Sequence, residues 1–397
     1  MNRSGSIIVI ILLLAVMAES KGQRQAGSGD IITVDVTKSY LSKKELILQD
    51  FTDVEYVALE TNDDFVNQGI VMDVGKKIIL VRNLINDGDI FVYDRTGKAL
   101  RKINHKGHQT SKEYTNILGI TLDEDNNEMF VNDYSTRRIL VYDLYGKFKR
   151  SFKHKENDGN QYFTCYTSIF NYDRDNLICY DENNDVSRTF VIISKKNGSI
   201  TKEIKIPFIK KHIPLTLRSK NGTQYTSVSP NLLKTIIPFK GNWTLVELSS
   251  DTVYTFLPDD YNLRPFLVRT PSIQSIDPKV FLLLSFFSDR YYFMETMKYV
   301  YDWNTRTGLP RTSFMYDKQE KAFLGYTVYN GDYTTKKEVL MNAFRPVNHG
   351  IESLQRLEAY QLVESYKKGE LKGKLKETAA TLDEDDNPVI MLIRHKK

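Results

Sequence analysis

The sequence is poor in the residues that usually declare chemistry. Its 397 residues include two cysteines, Cys165 and Cys179. A disulfide-stapled scaffold is thereby excluded, and the fold has to rest on a hydrophobic core. An oxidising compartment would permit a bridge between the two, but Cys179 stands inside the apolar run LICY, the setting of a buried free thiol. Histidine is scattered, six in all, and no HExxH or Cys/His cluster assembles zinc donors. His105 and His108 form the one close pair, read here as part of an exposed loop. The net charge is +5 from 55 basic and 50 acidic residues, with no zinc-finger, helix-turn-helix or RNA-binding signature, so no nucleic-acid partner is expected. No G-x-S-x-G elbow and no phosphate loop is present.

Long apolar runs are also missing, except at the start. Arg3 precedes twelve unbroken apolar residues, Ile7 to Ala18, followed by Glu19-Ser20-Lys21. A basic residue, a short apolar stretch and a small-residue exit make an export signal, expected to span 1–20. As a helix the run would cover about 18 Å, less than the roughly 30 Å of a bilayer core. A cleaved signal is therefore expected, with no stable membrane span after cleavage. KGQRQAGSGD (21–30) reads as a flexible leader, and no cysteine near the exit offers a lipid attachment point. The expected destination is the periplasm or the cell envelope.

What the sequence does contain is a repeat. IFVYDRTGKALRKI (90–103) returns as ILVYDLYGKFKRSF (139–152). Val92, Val141 and Val191 are spaced by 49 and 50, and Gly97, Gly146 and Gly198 follow them. DEDN (123–126) and DRDN (173–176) recur at the same place between two strand-like runs. Each unit divides into short β-branched or aromatic runs separated by Asp- and Asn-rich gaps. A period near 50 made of four short strands marks a propeller blade. Later copies are weaker: DTVYTFLPDDYNLRPFLV (251–268), KYVYDWNTRTGLPRTSFMYD (298–317) and AFLGYTVYNGDYT (322–334), the last read as a hairpin around Asn330-Gly331. Ile351, Leu354, Leu357, Leu362 and Tyr366 share a helical face, so a helical insertion is expected over about 351–381. PVIMLI then closes the chain as a strand that would pair with one from 31–60 and seal the ring. The expected fold is all-β: one six-bladed β-propeller of four-stranded antiparallel blades over 31–397.

VNDYSTRRILVYDLYGKFKRSF (131–152) resembles the NHL repeat, through Asp133, Arg138 and Ile139. The chain as a whole is similar to a largely uncharacterised family of exported six-bladed propellers from gut anaerobic bacteria. The resemblance rests on VEYVALET (54–61), Glu113-Tyr114, ELSSDTVY (247–254) and DDNPVIML (385–392). It implies an architecture and an exported address. Many members carry a lipoprotein cysteine that this chain lacks, and KGHQTSKEY stands here where they have a Gly-Pro-Gly-rich stretch.

Candidate chemistry is thin. Asp123-x-Asp125-x-Asn127 invites calcium, but Glu128 and Tyr134 occupy the positions where an EF-hand loop needs Gly and Glu, so a structural turn is the reading and no cofactor is expected. Trp243 and Trp303 are too few for a quinoprotein, which carries one per blade, and no sialidase-type S-x-D-x-G-x-T-W repeat occurs. Asp133 with Arg138 and Asp181 with Arg188 recur at one place in successive blades and read as strand-to-strand ties. Together with Arg82, Asn132, Tyr180 and Arg290, the strand-end residues Asp133 and Asp181 are the candidates for a ligand site at the channel mouth. The 24 tyrosines suit strand packing, and an exposed few could stack on sugars. The reading is an exported non-catalytic binding module holding a ligand, a glycan among the candidates, or an envelope protein over the channel. The alternatives are a metal-dependent lactonase-like hydrolase or lyase, and an envelope scaffold.

Overall fold

The V-Y-D segments at 92–94 and 141–143 each lie in the third strand of a four-stranded antiparallel sheet, and six blades of this kind make a six-bladed β-propeller. The structure, a computed structural model, describes residues 31–396 except 156–163, 185–187, 213–214, 222–223, 231–232, 260, 349 and 352. The signal and leader expected at 1–30 lie outside the described residues. Blade 1 comprises Ile70–Val74, Ile78–Arg82, Asp89–Asp94 and Ala99–Asn104. Blade 2 comprises Ile117–Asp123, Glu128–Asp133, Arg138–Asp143 and Phe148–Lys153. Blade 3 comprises Tyr166–Asn171, Asn176–Asp181, Phe190–Ser194 and Ile200–Ile204. In blade 4 the strands are Ile236–Phe239, Asn242–Leu245, Thr252–Leu257 and Asn262–Thr270, and in blade 5 Val280–Phe287, Tyr291–Lys298, Arg311–Asp317 and Ala322–Tyr329. Blade 6 takes Arg345–Pro346, Ser353–Leu357 and Val389–His395 from the C-terminal region and Thr52–Ala58 from the N-terminal one. The expected closure is present: Val54 faces Ile393 and Ala58 faces Val389 in the antiparallel ladder.

The blades bury both faces, which is why their middle strands read as nearly continuous apolar runs. In blade 2, Met129 and Val131 face blade 1 while Phe130 between them faces blade 3. The repeated Val-Tyr pair divides in the same way. Val141 enters the core shared with blade 3, and Tyr142 enters the core shared with blade 1, where its hydroxyl donates to the Lys112 carbonyl at 2.6 Å. The Asp that follows accepts backbone N–H groups within the turn, as Asp143 does from Tyr145 and Lys147 at 2.9 Å each. Glycine comes next with positive φ, +90° at Gly97 and +91° at Gly146. There it docks on the fourth strand of the preceding blade, Gly97 against the Ala58 carbonyl and Gly146 against Ile103. The repeated fourteen residues are thus the joint between blades.

A second feature is an N-terminal belt. Ile32–Asp35 pairs parallel to the outer strand of blade 4, Lys43–Ile47 pairs parallel to that of blade 5, and the chain then enters blade 6. Blades 4 and 5 therefore carry a fifth strand.

Several sequence expectations change. Ser353–Leu357 is a strand, so Leu354 and Leu357 belong to blade 6. The helical insertion reduces to Ala359–Lys367 and Gly373–Ala379, because strand pairing with Val389–Ile393 outweighs the helical spacing. Val300-Tyr-Asp302 is no blade frame: Tyr301–Asp302 and Thr307–Gly308 form a small hairpin between the second and third strands of blade 5. Asn330-Gly331 opens a wider loop that returns at Glu338. Cys165 and Cys179 are both buried and free.

Candidate functional site

The first strand of every blade lines the central channel. Turns joining first to second and third to fourth strands open on one face, called here the hairpin face, and the longer loops open on the other. On the inner strands, the ladder registers make Asp73, Thr121 and Phe170 equivalent in blades 1, 2 and 3. The signal for Asp73 was in the sequence, a lone carboxylate in the apolar run IVMDV, but the repeat frame gave it no role.

Asp73 stands between two cavities. The larger, about 580 Å³, opens at the hairpin-face mouth. Leu122, Phe170, Trp243, Val347 and Ile351 give it an apolar wall, and Lys76, Arg95, Asn171, Asn348 and Arg394 a polar rim. The smaller, about 130 Å³, continues inward past Met72, Thr121, Asn132, Ser168 and Arg345. Asp73 accepts the Leu122 N–H at 2.7 Å from the next blade and the Val74 N–H at 2.7 Å. Burial outweighs these hydrogen bonds and pushes its carboxyl up to about 6.

The other acids at the mouth are engaged. Glu124 reaches back across the joint and accepts the N–H groups of Lys76, Lys77 and Ile78 at 2.7–2.9 Å. The invited calcium turn is therefore an inter-blade clasp. Asp123 is buried against the Lys195 ammonium at 2.6 Å, and Asp125 meets Lys76 at 3.3 Å. Arg95 and Arg394 share Glu55, at 3.3 and 2.7 Å. Asn348 donates to the Val74 carbonyl at 2.7 Å, tying blade 6 to blade 1 across the rim. Among the described residues that line the larger cavity there is no Ser, Thr, Cys, His or Tyr. The cavity therefore joins an apolar seat to polar groups and, in Asp73, an acid whose carboxyl is pushed up by burial. Among the described residues no group of three or more His, Cys, Asp or Glu is arranged to hold a metal ion.

A family model described as "Domain of unknown function (DUF4934)" matches residues 31–394. The chain belongs to that family. A search of curated proteins gives no match. Among solved structures, a candidate exported protein from Bacteroides fragilis NCTC 9343 is 14% identical, with a TM-score of 0.55 over 90% of this chain and 100% of that one. A member of the DUF4221 family from Bacteroides vulgatus ATCC 8482 is 10% identical, with a TM-score of 0.46 over 88% of this chain and 100% of that one. The first of these likenesses carries the fold of this DUF4934 chain. No helix among the described residues is long and apolar enough to cross a membrane.

The residues singled out from the sequence do not gather into one site. Asn132 borders the inner cavity, where it donates to the Tyr166 carbonyl at 2.7 Å and meets His154 Nε2 at 2.8 Å. His154 is buried, and that burial holds its imidazole down at about 4. Arg82 lies beside Met72, its Nε 3.2 Å from the Met72 sulfur. Asp133 is fully buried and caps backbone, accepting N–H groups of Thr115, Asn116 and Ser135 at 2.8–3.1 Å. Asp181 does the same for Cys165 at 3.0 Å, and burial pushes its carboxyl up to about 6. Tyr180 is buried between blades 3 and 4, with its hydroxyl 3.2 Å from Glu247, which Lys211 neutralises at 2.7 Å. Arg290 is on the hairpin face, opposite the other five, and is tied to Asp317 at 2.8 Å. The expected strand-to-strand ties are absent as well. Arg138 and Asp133 face each other in register, yet Arg138 bonds Ser151 and Arg188 pairs with Glu203 at 2.9 Å. Backbone N–H groups of the preceding loop claim both aspartates first. His105 is likewise no free loop residue: it stacks on Tyr142 at 5.1 Å and meets the Gly146 carbonyl at 2.7 Å.

Proposed function

We propose that this chain is an exported, non-catalytic binding module that holds a small amphipathic ligand, a glycan or other polyol with an apolar face among the candidates, in the hairpin-face mouth of its channel. The observation behind this reading is the cavity of about 580 Å³ that joins an apolar wall to a rim where Asn348, Arg95 and Arg394 are already fixed by their neighbours. Preformed polar groups beside an apolar seat lower the ordering cost of binding. The likeness to an exported Bacteroides fragilis protein supports export, and the apolar run at 7–18 agrees with it. No donor set among the described residues favours the metal-dependent alternative.

Melting temperature against soluble glycans, calcium and chelator tests the reading. A ligand at a hundred times its dissociation constant adds about 2.7 kcal/mol. Asn171 is exposed on the rim, so Asn171→Trp would fill the mouth without disturbing the core. A glycan-induced rise that disappears in Asn171→Trp supports the site. A rise that persists in the variant places the ligand elsewhere and overturns it, and a shift with chelator alone favours metal chemistry instead.

A further inference from the structure

Two stretches on neighbouring blades carry nine Lys and Arg and no Asp or Glu: KALRKINHK (98–106) and KFKRSFKHK (147–155). They are the fourth strands of blades 1 and 2 with their flanks, so each has one backbone edge that no other described strand covers. Glu128 takes Lys149 and Arg150. Lys102, Lys147 and Lys153 are exposed and meet no acid among the described residues, and Lys98 is exposed beside Asp94 of its own turn. The same perimeter exposes Leu100 (42%) and Tyr145 (73%), the latter beneath the Arg101 guanidinium at 4.4 Å. Cations without partners beside exposed apolar side chains are an unmatched surface.

The opposite half of the molecule shows what such an edge accepts. In blade 4 the outer strand is bulged at Phe266, and the regular stretch beyond it, Leu267–Thr270, takes Ile32–Asp35 as a parallel fifth strand. The outer strands of blades 1 and 2 are bulged at the same place, leaving Arg101–Asn104 and Arg150–Lys153 as the equivalent stretches. The strand added to blade 4 buries Val34 next to Asp35, and the one added to blade 5 buries Leu46 next to Glu45. An apolar residue beside an acid is therefore the pattern that this fold already seats on its perimeter.

We propose that the bare outer edges of blades 1 and 2 dock an extended acidic segment of a partner protein as a fifth strand. Its apolar residues cover Leu100 and Tyr145, and its acids meet Lys98, Lys102, Lys147 and Lys153. Lysines on an edge strand repel indiscriminate pairing. The same charges select an acidic strand, since complementary charge sets both encounter rate and choice of partner. Main-chain hydrogen bonds supply the register, as in other strand additions.

The probe is a fluorescein-labelled peptide of alternating Glu and Val, titrated into the protein at low salt and at about 0.15 M, where the screening length is about 8 Å. Anisotropy is read for the native protein and for Lys102→Glu/Lys147→Glu/Lys153→Glu, whose sites are all exposed. Expected are binding that weakens with salt, a loss of at least about tenfold in the triple variant at unchanged melting temperature, and slowed amide exchange within 101–104 or 150–153. No binding, or equal binding by the variant, overturns the proposal. Binding of heparin or phosphatidylglycerol vesicles in place of the peptide, without amide slowing, also overturns it and assigns the strip to a polyanion.

Discussion

In blades 1 to 3 the fourth strand ends the sheet, and on blades 1 and 2 the next blade's glycine turn packs against it, Gly146 on Ile103 and Gly198 on Phe152. In blades 4 to 6 the segment 32–58 runs along the perimeter instead, adding a parallel strand to blades 4 and 5 and the outer strand to blade 6. The turns differ accordingly. Gly97, Gly146 and Gly198 carry the positive φ in the first half, whereas Tyr261 (+52°) and Lys321 (+49°) carry it in the turns of blades 4 and 5. An L-residue there costs roughly 1–2 kcal/mol. The first half therefore holds its joints by close local approach, and the second by a belt drawn from a distant part of the chain. A joint of the first kind needs one specific residue type at one spacing, so it recurs in sequence. A joint of the second kind needs only an apolar side chain and a free edge, so it leaves no period.

The largest effect should come from breaking a glycine joint. A Cβ at Gly97 would stand 1.9 Å from the Ala58 carbonyl oxygen, and φ there is +90°. Gly97→Ala is expected to cost about 4 kcal/mol, the sum of backbone strain and forced separation of blades 6 and 1. Gly241 has φ +79° and open space around its Cβ position, so Gly241→Ala should cost only about 1 kcal/mol. Denaturant midpoints of the two variants measure the difference. Equal losses would mean that strain alone acts and that the close approach is not what joins the blades.

This contrast also explains what could be read in advance. Blades 1 and 2 were legible because Val, Tyr, Asp and Gly each serve one fixed contact, as Val141, Tyr142, Asp143 and Gly146 do, and blade 3 keeps the glycine, Gly198 against Phe152. Ring closure was legible too, because an apolar strand at each end has nowhere else to pair. The belt was not, since ITVD and KKELI look like any short strands and parallel pairing 235 or 282 residues away leaves no local mark. Candidate site residues failed for a related reason. Asp133 and Asp181 recur with the blade, and what recurs with the blade caps its loops. The cavity is built from what does not recur: Asp73, Trp243 and Asn348 hold no common place in the period.

Asp73 sharpens the comparison inside the regular half, because Thr121 and Phe170 occupy its position in blades 2 and 3 and do not titrate there. Its folded carboxyl titrates near 6, against about 3.9 in an unfolded chain. Between those values the folded protein keeps a proton that the unfolded chain has released. Stability attributable to Asp73 therefore falls as pH rises through that window, and the penalty is complete above 6. Two units correspond to about 3 kcal/mol. Asn cannot titrate, so the stability difference between native protein and Asp73→Asn should move by that amount in the variant's favour between pH 4 and 7. Asp181, with the same sign, and His154, with the opposite one, are common to both proteins and cancel. Urea unfolding across this range checks it, and a pH-independent difference would show that the carboxyl is solvated through the cavity.

The smallest effect tests whether the belt holds or merely decorates. Val34 is fully buried in the core between blades 4 and 5, while Thr33 beside it on the same added strand is exposed. If the fifth strand is part of that core, Val34→Ala loses two methyl groups and leaves a small void, about 2 kcal/mol. Thr33→Ala should change stability by less than about 0.5 kcal/mol. The kinetics separate the two roles further. A belt that seals blades 4 to 6 must come off before they part, so Val34→Ala should speed unfolding more than it slows folding. Were Val34→Ala as mild as Thr33→Ala, blades 4 and 5 would stand on their own four strands, and the loss of glycine joints in that half would need another compensation.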